Sequence, residues 1–228
     1  LSSCLESEEE IWVNADSSGR ARLHLTAPTL LFDELGGAET FAAKIRQVCQ
    51  ESDNLTLASL HSARKNGSQE LQLEVSFRDV LALGDDLQGF REPDSSSRES
   101  AVEHYFGSPR LQAGFPHLQY RRAIDWQTLV PDAGPQAWWK PLLGNAQVHY
   151  QLHLPSVAKN HNAHQVSPDG RTLQWTFATR DLLSGEAEMT VQTPIPGLGR
   201  HFFLLGTLLL ALVVALLALR KRLRPRAS

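Results

Sequence analysis

Between Phe202 and Leu219 the chain carries eighteen consecutive residues without a charge, FFLLGTLLLALVVALLAL, and Arg220, Lys221, Arg222, Arg224 and Arg226 follow at once. At about 1.5 Å per residue such a helix rises roughly 27 Å, close to the roughly 30 Å hydrocarbon core of a bilayer. Thr207 is its one polar side chain, and a threonine hydroxyl bonds back to its own helix, so nothing in the run must meet water. The expectation is a single transmembrane helix over 202–219, with a buried core helix as the plainer alternative. Positive flanks stay in the cytoplasm, which puts the basic tail 220–228 inside and the preceding domain outside a bacterial cell membrane. Nine residues, RKRLRPRAS, continue past the apolar run, unlike a glycolipid-anchor signal that ends in its hydrophobic tail.

At the other end, Leu1-Ser2-Ser3-Cys4 resembles the last part of a bacterial lipobox, in which a small residue precedes the cysteine that is diacylated, typically with palmitate-type chains. On that reading residues 1–3 are the remnant of a signal peptide and Cys4 is the lipid-attachment site. The competing reading pairs Cys4 with Cys49 in a disulfide, which an exported compartment permits. Cys49 shares a helical face with Phe41, Ile45 and Val48, where a thiol packs as a small apolar group.

The tail contributes five positive charges, so residues 1–219 hold 17 basic against 25 acidic groups. An acidic domain is a poor binder of polyanions, which argues against a nucleic-acid partner. The run Glu6, Glu8, Glu9, Glu10 reads as a solvated leader. Residues 4–192 are expected to form the extracytoplasmic domain and 193–201 a linker, with 79–145 a stretch of weak pattern and a candidate insertion.

Alternation marks the strands. Ile11–Ala15 and Ala21–Thr26 flank the turn-rich Asp16-Ser17-Ser18-Gly19, and Leu55–Leu60 is followed by Asn66-Gly67 and a return strand whose one face is Leu71, Leu73, Val75 and Phe77. Between the two hairpins, 38–51 reads as an amphipathic helix that needs a sheet beneath it. Strands are again expected at 147–154, 164–166, 172–178 and 188–192. The sum predicts an α+β fold: a mostly antiparallel curved sheet with one principal covering helix, plus the C-terminal transmembrane helix.

The lipobox, the hairpin NADSSGRARLHL, the helix, the second hairpin and VHYQLHLPSVAKNHNAHQVSPDGRTLQWTF together resemble the layout of LppM-type bacterial lipoproteins, with Leu154-Pro155, Asn162-Ala163, Asp169-Gly170 and Trp175 carrying the late pattern. The resemblance implies an envelope domain whose curved sheet wraps a helix, similar to folds that hold lipids or other hydrophobic ligands.

No nucleophile elbow, phosphate loop or dinucleotide fingerprint occurs, no cofactor is implied, and an enzyme is not expected. His149, His153, His161 and His164 form the best candidate for a metal-dependent enzyme. Residues four apart on one strand, however, lie about 13 Å apart, too far to share an ion directly. Trp138-Trp139-Lys140 is the candidate membrane or ligand contact, since tryptophan favours a bilayer interface. Both rings capping the core is the alternative. The expected function is therefore a non-enzymatic, membrane-anchored envelope lipoprotein that binds membrane lipid or another hydrophobic component. Its alternative is a structural or assembly partner of another envelope membrane protein.

Overall fold

A computed structural model describes residues 5–34, 37–83, 86, 108–114, 117–124, 126, 146–185 and 187–195. In chain order its elements are β1 (Glu6–Val13), β2 (Gly19–Pro28), α1 (Thr29–Glu34), α2 (Ala38–Glu51), β3 (Leu55–Lys65), β4 (Ser68–Phe77), β5 (Ser108–Gly114) and β6 (His117–Ile124). There follow β7 (Gln147–His153), β8 (Asn160–His161), β9 (Gln165–Val166), β10 (Thr172–Ala178), α3 (Thr179–Leu183) and β11 (Ala187–Pro194).

Seven strands form one mixed sheet in the order β3-β4-β2-β1-β7-β10-β9, and four form an antiparallel sheet in the order β5-β6-β11-β8. Local chemistry sets the tight turns. Asn66 and Gly67 both adopt positive φ, 53° and 81°, which is the type I′ geometry whose twist suits a two-residue hairpin between β3 and β4. At the β1–β2 turn, Ser17 sits at φ 75° while the Asp16 carboxylate accepts hydrogen bonds from the Ser18 amide and hydroxyl. Gly19 opens β2 because a Cβ there would lie 2.0 Å from the Trp12 carbonyl oxygen and 2.3 Å from the Phe77 ring.

Period-two alternation builds the interior. Leu23 lies beside Glu9 and Leu73, and Tyr150 joins the same inward row from β7. The next row holds Ile11, Ala21, Val75 and Leu152, and the one beyond it Val13, Gly19, Phe77 and Leu55. From the second sheet Leu118, Ile124, Met189 and Val191 are buried in the same core. Helix α2 adds Phe41, Ala42, Ile45 and Val48, its buried stripe, and packs on β3.

A seam of chain joins the sheets at their edges. The chain pairs with β11 as β8 and, four residues later, with β10 as β9, so a single extended segment passes from the edge of one sheet to the edge of the other. Asn162 lies at that crossing. Its Oδ1 accepts from the Trp175 indole at 2.9 Å and the Thr190 amide at 2.8 Å, and its Nδ2 donates to the Glu188 carbonyl at 2.8 Å.

The architecture corrects the α+β expectation. Strands dominate the described residues, with one long helix and two short ones, and the larger sheet is mixed because β1 and β7 run parallel, Glu6 beside Gln147 through Trp12 beside His153. A parallel pair cannot be a hairpin and needs a long crossover, so local alternation carries no sign of it. The single-pass membrane topology is corrected too: among the described residues no helix is long and apolar enough to cross a membrane. The run 202–219, on which that topology and the cell-membrane localisation rested, lies outside the described residues, as do Cys4 and Trp138, Trp139 and Lys140.

Candidate functional site

The glutamate run is not a uniform leader. Because β1 begins at Glu6, the alternation turns Glu6, Glu8 and Glu10 to one face and Glu9 to the other, among the core residues. A carboxylate placed there must be paired, and Arg122 on β6 supplies the pair across the two sheets. Nη1 donates to Oε1 at 2.6 Å and Nη2 to Oε2 at 3.0 Å, the two-pronged geometry that guanidinium and carboxylate share. The two side chains are only 3% and 7% exposed.

Two tyrosines frame the pair. The Arg122 guanidinium carbon lies 4.9 Å from the centroid of the Tyr150 ring, a cation–π contact. Burial by itself would push the guanidinium down, but Glu9, Tyr120 and Tyr150 outweigh it and hold Arg122 well above its ordinary range. Burial raises the Tyr120 phenol, with the Glu9 charge adding to that and Arg122 opposing it.

Above this pair is a cavity of about 150 Å³ between the two sheets and α2. Its wall is apolar: Ile11, Ala21 and Val75 from the larger sheet, Leu118 and Val191 from the smaller, Ile45 from the helix. Glu9, Arg122, Tyr120 and Thr193 are its polar residues, and Glu9 and Arg122 are the ionised ones among the described lining residues. The inward row below Glu9, with Ser7, Leu25 and Leu71, takes no part in the lining, so the ion pair forms one end of the space, its floor. Toward the other end stand Phe77, Val80, Leu83 and Cys49, of which Leu83 and Cys49 are half-buried. The middle row, Ile11, Ala21, Val75 and Leu152, is also only half-buried, although Glu9, Leu23, Leu73 and Tyr150 on one side and Val13, Phe77 and Leu55 on the other are buried. Cys49 is a free thiol whose pKa is raised by burial and by nearby Asp86.

The histidines are not gathered. His149 and His153 project from the opposite, outer face of β7, each with Nδ1 3.1 Å from a threonine hydroxyl of β10, Thr176 and Thr172 respectively. His161 Nδ1 accepts from the Ala163 amide and His164 Nδ1 from the Thr176 amide. Among the described residues no group of three or more His, Cys, Asp or Glu side chains is disposed to hold a metal ion. On that outer face Trp12 stacks on His153 with centroids 5.0 Å apart and planes 2° apart, and the Arg20 guanidinium lies 4.3 Å from the Trp12 ring centroid.

No protein-family model matches the chain, and no curated protein does. Among solved structures, the folded domain of LppM from Mycobacterium tuberculosis is similar at a TM-score of 0.44 and 11% identity, over 84% of this chain and 90% of that one. An M1 zinc metallopeptidase mutant from Deinococcus radiodurans is similar at 0.32 and 10%, over 84% of this chain but 42% of that one. These are likenesses of layout alone. At such scores neither carries an argument about what the chain does, and the functional reading rests on the cavity.

Proposed function

We propose that this domain is a non-enzymatic binding module that takes the hydrocarbon chain of a lipid or similar hydrophobic molecule into the cavity between its sheets. The observation that supports this is the cavity itself: an apolar space left at the centre of the fold, with half-buried walls and, among its described lining residues, one self-neutralised ion pair. An empty apolar space forfeits the contacts its lining would otherwise make, so a protein that keeps one forgoes stability there. A closed apolar cavity near 150 Å³ accommodates one benzene. The space here therefore fits about six carbons of a chain, with any remainder at the half-buried end beside Cys49 and Leu83.

Cys49 reports on occupancy. The full-length protein is treated with N-ethylmaleimide, with and without 1-octanol, and alkylation of the Cys49-bearing peptide is followed by mass spectrometry. Octanol bound in the cavity slows that reaction at least about fivefold at saturation, since ligand covers the thiol. Unchanged Cys49 reactivity, together with no binding heat for octanol by calorimetry, refutes the reading.

A further inference from the structure

The floor of the cavity restricts which molecules the site can take and which way round they lie. We propose that the Glu9–Arg122 pair acts as a charge filter, admitting single-headed amphiphiles hydrocarbon end first and rejecting chains that carry a charge at both ends; this rests on the cavity being a ligand site.

The pair is saturated as well as neutral. Both oxygens of Glu9 and both terminal nitrogens of Arg122 are engaged with each other, at 2.6 and 3.0 Å, and the Tyr150 ring covers the guanidinium face. Among the described lining residues a carboxylate arriving at this end would be a second anion beside one cation. It would either stay unpaired in a desolvated space or displace Glu9 and strand that carboxylate instead, and both outcomes leave an uncompensated buried charge. A methyl end makes no such demand and packs against Tyr120, the cavity-lining neighbour of Arg122 on β6. A charged head at the half-buried end beside Cys49 and Leu83 keeps its water. Polarity of insertion thus follows from where the Glu9–Arg122 pair stands. Glu9→Gln removes the anion but keeps the shape, taking from the Arg122 fork the carboxylate it grips at 2.6 and 3.0 Å, a geometry that a foreign carboxylate can adopt in the same two-pronged fashion.

The test uses the full-length protein and three probes built on an eight-carbon acyl chain: octanoate with one charged end, octanedioate with two, and the monomethyl ester of octanedioate with one end neutralised. Wild type is expected to bind octanoate and the monoester with similar affinity and octanedioate at least about tenfold more weakly. Glu9→Gln is expected to recover octanedioate by about tenfold or more. Nuclear Overhauser contacts on wild type supply an arm that needs no variant: the terminal methyl of octanoate, and not its α-methylene, should lie against the Tyr120 ring. Octanedioate binding wild type as tightly as octanoate, a folded Glu9→Gln protein that still rejects octanedioate, or the α-methylene lying against Tyr120 each overturn the filter and leave the ligand site standing. Failure of octanoate and octanol alike to bind overturns the ligand site itself.

Discussion

The indole of Trp175, on a strand of the larger sheet, donates to the side-chain oxygen of Asn162, which in the same position receives the amide of Thr190 from the smaller sheet. One amide side chain therefore serves both layers where the connecting segment crosses. Asn162→Ala leaves the indole and the Thr190 amide without that acceptor. The indole, on a buried ring, loses its acceptor at a cost of about 1–3 kcal/mol, while the exposed Thr190 amide can turn to water, so urea unfolding should show a loss of about 1–3 kcal/mol. A loss below about 1 kcal/mol would mean that water substitutes for the side chain.

Removing one member of the buried ion pair should harm the fold more than removing both. Arg122→Met strands the Glu9 carboxylate and is expected to cost about 3–5 kcal/mol. Adding Glu9→Leu should recover part of that loss. A denaturation cycle over the four proteins measures the coupling, and a double variant less stable than the single one would show that the pair contributes more than its mutual compensation.

Ala21 faces the cavity from the middle of β2, between Ile11 and Val75. Ala21→Ile places three more carbons into the void on a β-branched side chain suited to a strand. At about 0.8 kcal/mol per buried methylene the gain is at most about 2 kcal/mol. Thermal unfolding should shift upward while octanol affinity falls at least about tenfold. A gain in stability with unchanged octanol affinity would place the ligand elsewhere.

His153 gives the stability a pH dependence of known sign. Burial lowers its pKa, Arg20 acting in the same direction and Glu10 against it. The unfolded chain, with an ordinary histidine near about 6.5, takes up its proton first on acidification. The His153 contribution is therefore complete above that value and is lost as pH falls below it toward the lowered folded value. His153→Phe keeps the stack on Trp12 and removes the titration, so its urea midpoint should drop less than wild type between pH 7.5 and 5.5. Parallel drops in the two proteins would show that the ring is no more reluctant to protonate folded than unfolded.

What was legible in the chain follows the range of the interaction. Asn66-Gly67 and Asp16–Gly19 announce their hairpins because turn chemistry is local, and 38–51 announces its helix because Phe41, Ile45 and Val48 repeat at helical spacing. The hairpin of β5 and β6 was hidden within the weakly patterned 79–145: of the adjacent charges Arg121 and Arg122, parity sends Arg122 inward. Glu9 was hidden for the same reason among its neighbours. Extending the alternation of Ile11 and Val13 backward would have placed it on the buried face, but only the partner, 113 residues away, explains why a carboxylate is tolerated there. The parallel pairing of β1 with β7 leaves no trace in either segment.

That same pairing orders events during synthesis. The first hairpin can close and pair with β4 long before Gln147 leaves the ribosome, so the far edge of β1 must wait, its amides and carbonyls open to any strand that passes. Glu6, Glu8 and Glu10 stand along that waiting edge, and their like charges repel a second copy in the same position. An edge so charged is a poor template for a second copy of itself until Gln147–His153 is available to pair with it.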